Sequence, residues 1–109
     1  MSLSKLTSAN FDMAIGSGLT LVDFWAGWCM PCRMLAPVIE ELARQYEGSI
    51  EVGKVDVDEE NELAVRYGIM SIPTVILFNE GKEEKRFIGV QPIEAFKKEL
   101  QGRSARATR

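Results

Sequence analysis

Leu19-Thr20-Leu21-Val22-Asp23-Phe24-Trp25-Ala26-Gly27-Trp28-Cys29-Met30-Pro31-Cys32 is the stretch on which the fold turns. Leu19 to Trp25 is rich in aliphatic, β-branched and aromatic residues, which reads as a strand covered on both faces. From Cys32 to Tyr46 the period changes. Leu35, Val38, Ile39, Leu42 and Tyr46 fall at helical spacing, and Gly48 follows as a stop signal. Pro31 suits a first helical turn, which has no use for the N–H that proline lacks. Pro37 lies inside the helical pattern and should kink it, because its missing N–H removes one helical bond.

A strand that runs into a helix through Cys29-Met30-Pro31-Cys32 places two thiols at a helix N-terminus. Cysteines at that spacing can close a small disulfide ring without large backbone movement. Unpaired N–H groups and the helix dipole stabilise an anion there, so the first thiol should ionise readily. Cys29 is therefore expected to be the nucleophile and Cys32 the resolving thiol. Three other readings compete. A permanent structural disulfide suits an oxidising compartment. Zinc needs about four ligands, and the chain offers two cysteines and no histidine. Inert core cysteines would be buried, against which the strand-to-helix position speaks.

Working outward, Ile50 to Asp56 and Thr74 to Phe78 read as further strands, the second ending at the turn signal Asn79-Glu80-Gly81-Lys82. Glu83 to Ile88 returns as the antiparallel partner of a hairpin. Helical patterns cover Glu60 to Tyr67 and a C-terminal segment after Pro92 carrying Ile93, Phe96 and Leu100. Near the N-terminus, Thr7 or Ser8 is expected to cap a helix carrying Phe11, Ala14 and Ile15. Helices alternating with strands indicate one α/β sheet with helices on both faces. Residues 1–102 are expected to form one domain, and residues 103–109, which lack apolar anchors, a disordered tail.

The chain has 109 residues, 46% hydrophobic and 27% charged, enough to bury a core without staples. Thirteen basic and sixteen acidic residues give a net charge of −3. Arg103, Arg106 and Arg109 fall in the acid-free tail, so the body sets ten basic against sixteen acidic residues, a net of −6. An acidic body argues against nucleic acid or an anionic membrane as partner. The absence of histidine excludes imidazole bases and histidine metal ligands. No signal-peptide pattern or membrane span is evident, so a cytoplasmic location is expected. Asp56, Asp58 and Glu60 echo the opening of a calcium loop, but Asn61 stands where its glycine belongs, and a solvated helix start is the better reading.

Taken in order, Val22-Asp23-Phe24-Trp25-Ala26-Gly27-Trp28-Cys29, Pro37, Lys54-Val55-Asp56-Val57-Asp58, Tyr67-Gly68-Ile69, Ile72-Pro73-Thr74, Gly81 and Gly89 resemble the thioredoxin family from about Lys5 to Leu100. The resemblance implies a thioredoxin fold, a five-stranded mixed β-sheet flanked by four helices. It implies a protein-disulfide reductase with no bound cofactor, serving cell redox homeostasis and recharged by a thioredoxin reductase. Asp23 would be the buried acid that exchanges a proton with Cys32, and Lys54 its neighbour on the adjacent strand. Pro73 would be a cis proline facing the cysteines, leaving the Ile72 backbone free to pair with an extended substrate. Trp28, Met30, Pro31, Ile72, Pro73, Gly89 and Val90 would line the docking patch for disulfide-containing proteins. The chain would act as a monomer. Met30 departs from the glycine that the family usually carries there, which bears on partner choice and potential. An oxidase or isomerase, usually with histidine between its cysteines, and a redox-silent binding subunit are the rival functions.

Overall fold

The computed structural model describes residues 3–107. Strands β1 (Leu3–Lys5), β2 (Leu19–Trp25), β3 (Glu51–Asp56), β4 (Thr74–Asn79) and β5 (Lys82–Ile88) form one sheet in the order β1-β3-β2-β4-β5. Helices α1 (Phe11–Ile15), α2 (Met30–Gln45), α3 (Asn61–Arg66) and α4 (Ile93–Ala107) connect or follow them. β1, β3 and β2 run parallel, while β2–β4 and β4–β5 are antiparallel. This is the thioredoxin fold that the resemblance implies.

Side-chain alternation along β2 divides the interior. Leu19 and Leu21 pack with Leu35, Ile39 and Leu42 of α2 and Phe96 and Leu100 of α4. Val22 and Phe24 point the other way, toward Phe11 and Ile15 of α1 and Leu63 of α3. On that second face Phe11, Tyr67 and Phe78 meet with ring centroids 5.3 to 5.8 Å apart. With both faces covered, β2 and β4 are buried along almost their whole length, as their largely apolar sequences require. The β4–β5 turn has φ of 53° at Glu80 and 84° at Gly81, the left-handed pair that suits a two-residue hairpin.

Several local expectations change. Neither Thr7 nor Ser8 caps α1. The cap position is Asn10, and its Oδ1 accepts the Thr7 N–H at 2.7 Å, so the side chain closes the preceding turn instead. β1 carries little strand signal of its own and is ordered by pairing Leu3 to Lys5 with Val52 to Lys54. α2 does contain Pro37, as its helical pattern implies. The expected boundary after Gly102 is not a break either, since α4 runs on to Ala107. Arg103 ties that helix down, donating to Glu84 at 2.6 Å and to Glu99 at 2.9 Å. Thr108 and Arg109, the end of the expected tail, lie outside the described residues.

Candidate active site

β2 delivers the chain to the C-terminal edge of its strand at Trp25, and Ala26 to Cys29 turn it into α2. The Cys29 N–H closes this turn on the Ala26 carbonyl at 3.2 Å. Cys29 is the N-cap of α2, with extended backbone, and its Sγ accepts the Cys32 N–H at 3.2 Å. Pro31 lies in the first turn. Cys29 and Cys32 are joined as a disulfide with Cα atoms 5.3 Å apart.

Both cysteines are buried, 4% and 2% exposed. The strand-to-helix position had suggested otherwise. The closed ring folds inward onto Ala26, and Trp25, Val57 and Ile72 pack around it. Cys29 Sγ lies 3.8 Å from the Ile72 carbonyl oxygen, so the loop before β4 reaches the redox pair. The Ile72-Pro73 peptide bond is cis, as the resemblance implies.

Asp23 occupies the middle of β2, in register with Lys54 on β3 and Val75 on β4. It is 1% exposed, and neither carboxylate oxygen has a hydrogen-bond partner among the described residues. Burial raises its pKa from 3.8 to about 7, partly opposed by the positive charge of Lys54. Lys54 forms no ion pair with it among the described residues. Its ammonium sits 4.4 Å over the Trp25 ring, half-buried, a cation–π contact. Asp23 is therefore a buried carboxyl that titrates near neutrality.

The surface around the disulfide is apolar. Trp28 is 72% exposed, Met30 63% and Val90 44%, with Pro31 also exposed. Ile72 and Gly89 are half-buried, while Pro73 is buried and presents no open face. The Gly89 N–H donates to the Pro73 carbonyl at 2.9 Å, which ties two of these positions together. Gly89 has φ of 85°, so its backbone conformation by itself calls for glycine.

Two residues take a place at this surface that their sequence context does not reveal. Met70 is 95% exposed and shares a cleft of about 240 Å3 with Trp28 and Ile72. Asp58 accepts the Trp28 Nε1–H at 2.7 Å and fixes the indole beside the cysteines. Thirty residues separate that pair, and no local spacing announces it.

The sequence model of the family described as Thioredoxin matches residues 2–102. Proteins named thioredoxin from Staphylococcus aureus strains COL and MW2 are each 51% identical over 94 residues, covering 86% of this chain and 90% of theirs. A mutant thioredoxin from Halobacterium salinarum NRC-1 superposes with a TM-score of 0.86 at 33% identity, covering 94% of this chain and 91% of that one. The span of the family model takes in both cysteines. The chain belongs to the thioredoxin family, and its Cys29–Cys32 pair is the redox couple of a thiol–disulfide oxidoreductase.

Proposed function

We propose that the chain is a protein-disulfide reductase. The observation that carries this is the Cys29–Cys32 disulfide at the N-terminus of α2, with Cys29 Sγ held by the Cys32 N–H. When the pair is reduced, that N–H and the helix end favour negative charge on Cys29. The Cys29 thiolate attacks one sulfur of a substrate disulfide, and the other leaves as a thiolate and is protonated. Cys32 then gives up its proton and attacks Cys29, which forms the Cys29–Cys32 disulfide and frees the second substrate thiol.

Asp23 is the group proposed to take the proton from Cys32. It shares the face of β2 with Leu19 and Leu21, which pack on α2, and its pKa of about 7 means that it changes charge near working pH; both support this. Lys54 holds its cation on the same row of the sheet and moderates that pKa. Trp28, Met30, Pro31, Ile72, Gly89 and Val90 form the docking patch, with the Ile72 backbone offered to an extended substrate segment and the buried Pro73 supporting it from beneath. Met30, where the family usually has glycine, adds a flexible apolar contact next to the attacking sulfur.

The implied partners are disulfide-containing proteins and a thioredoxin reductase that returns electrons to the pair. The setting is a reducing cytoplasm, where the chain acts as a monomer in cell redox homeostasis. Among the described residues, no helix is long and apolar enough to cross a membrane. Cys32→Ser tests the order of attack. It should accumulate mixed disulfides through Cys29, seen as thiol-sensitive mass adducts with a disulfide substrate. If Cys29→Ser accumulates them instead, the two roles are reversed.

A further inference from the structure

We propose that the cleft between Trp28 and Met70 selects substrates that carry a lysine or arginine next to the disulfide. This rests on the reductase reading and names the substrate class for the same site. The cleft is walled by Trp28, Ile69, Met70 and Ile72, with Asp58 and Asn61 among its polar lining. Ile72 joins it to the redox pair, because its carbonyl oxygen lies 3.8 Å from Cys29 Sγ. A residue beside the attacked cysteine is therefore within reach of it.

The charge in the cleft is not balanced. Among the described residues no cation pairs with Asp58. Its Oδ2 accepts the neutral Trp28 indole N–H, which leaves the negative charge in place. Of the neighbouring acids, Glu59 is neutralised by Lys5 at 3.2 Å, while among the described residues Glu60 and Asp56 accept only neutral donors, from Ser8 at 3.0 Å and the Asp58 N–H at 2.9 Å, so their charges add to that of Asp58. Asp58 is exposed, so a partner's cation can approach it. A lysine or arginine fits both halves, its methylene stem against Trp28 and Met70 and its head toward Asp58. The indole face adds a cation–π contact. A glutamate in the same place meets a like charge.

The test uses three synthetic peptides with one internal disulfide, identical except for lysine, serine or glutamate flanking both cysteines. The fully reduced protein is mixed with each at low salt, quenched with acid, and the reduced peptide is quantified by chromatography. An exposed ion pair exchanged for a like-charge contact should make the lysine peptide about three- to tenfold faster than the glutamate peptide. The ratio should fall toward one in Asp58→Asn and in roughly half-molar salt, and reverse in Met70→Lys. Because the ratio is taken within each variant, any general loss of activity cancels. A wild-type ratio near one, or a ratio unmoved by Asp58→Asn, overturns the proposal. Failure to reduce even the serine peptide or 2-hydroxyethyl disulfide would instead overturn the reductase reading on which it rests.

Discussion

Replacing Asp23 with leucine, close to aspartate in shape, should change how stability depends on pH rather than merely shift it. The Asp23 carboxyl is 1% exposed and lacks a hydrogen-bond partner among the described residues, so its charged form is poorly accommodated. Its folded pKa of about 7 lies above the ordinary 3.8. Between these values the folded chain binds a proton that the unfolded chain has released, so stability must fall as pH rises. The stability advantage of the protonated form is complete below pH 3.8 and is lost as pH passes about 7. A gap of roughly three pK units corresponds to about 4 kcal/mol, as an order of magnitude. The assay is denaturant unfolding of the oxidised protein, in which the cysteines do not titrate, at several pH values between about 4 and 8.5. Wild type should lose several kcal/mol relative to Asp23→Leu across that range, with most of the divergence before pH 7. Any constant packing cost of leucine drops out of the slope. Parallel curves for the two proteins would refute the claim that Asp23 is a desolvated, unpartnered acid.

Gly53→Ala tests the packing of β1's continuation on β3. A Cβ there would lie 2.5 Å from Leu6 Cδ1 and 2.7 Å from its Cγ, and Leu6 is itself buried. Overpacking of this kind should cost about 1–3 kcal/mol, read as a lower denaturant midpoint, and an unchanged midpoint would mean that Leu6 moves freely. Truncation after Gly102 removes the partly exposed Arg103 pairs with Glu84 and Glu99. It should cost no more than about 1 kcal/mol and leave the redox chemistry intact, whereas a larger loss would make residues 103–107 part of the domain.

The parts of the fold that were legible are those whose cause is local. β2 and β4 announce themselves because a strand covered on both faces must be largely apolar, and α2 because Leu35, Ile39 and Leu42 share one stripe. β1 was not legible from its residues, since a half-polar tripeptide becomes a strand only when β3 is there to pair with it. The α1 cap was misplaced because Asn10, Thr7 and Ser8 are equally plausible caps until the turn geometry chooses. Gly102 looked like an end, yet the anchors that carry α4 past it sit on β5 and one turn back on α4 itself.

At the site, the cysteine pair was visible from spacing and helix position alone. Its burial was not, because Val57 and Ile72, which pack against it, come from distant segments. Asp23 stood out as a carboxylate in an apolar strand, and the structure supplies the reason for its raised pKa: little solvent and, among the described residues, no hydrogen-bond partner. Met70 gave no signal, and Asp58 was read only as part of an acid-rich helix start. An exposed methionine and an acid in an acid-rich stretch acquire meaning only when the fold sets both beside Trp28.

The central claim is that Cys29 and Cys32 form a reducing couple. Its most direct test is the reduction potential of the pair, equilibrated against defined thiol buffers and followed by the fluorescence of Trp25 and Trp28. For a two-electron couple about 30 mV corresponds to roughly 1.4 kcal/mol, so reductants and oxidants are well separated. A value near the roughly −270 mV known for thioredoxin is the expected result and would leave Met30 to act on partner choice. A value of about −180 mV or higher would contradict the account and make the protein an oxidant or isomerase.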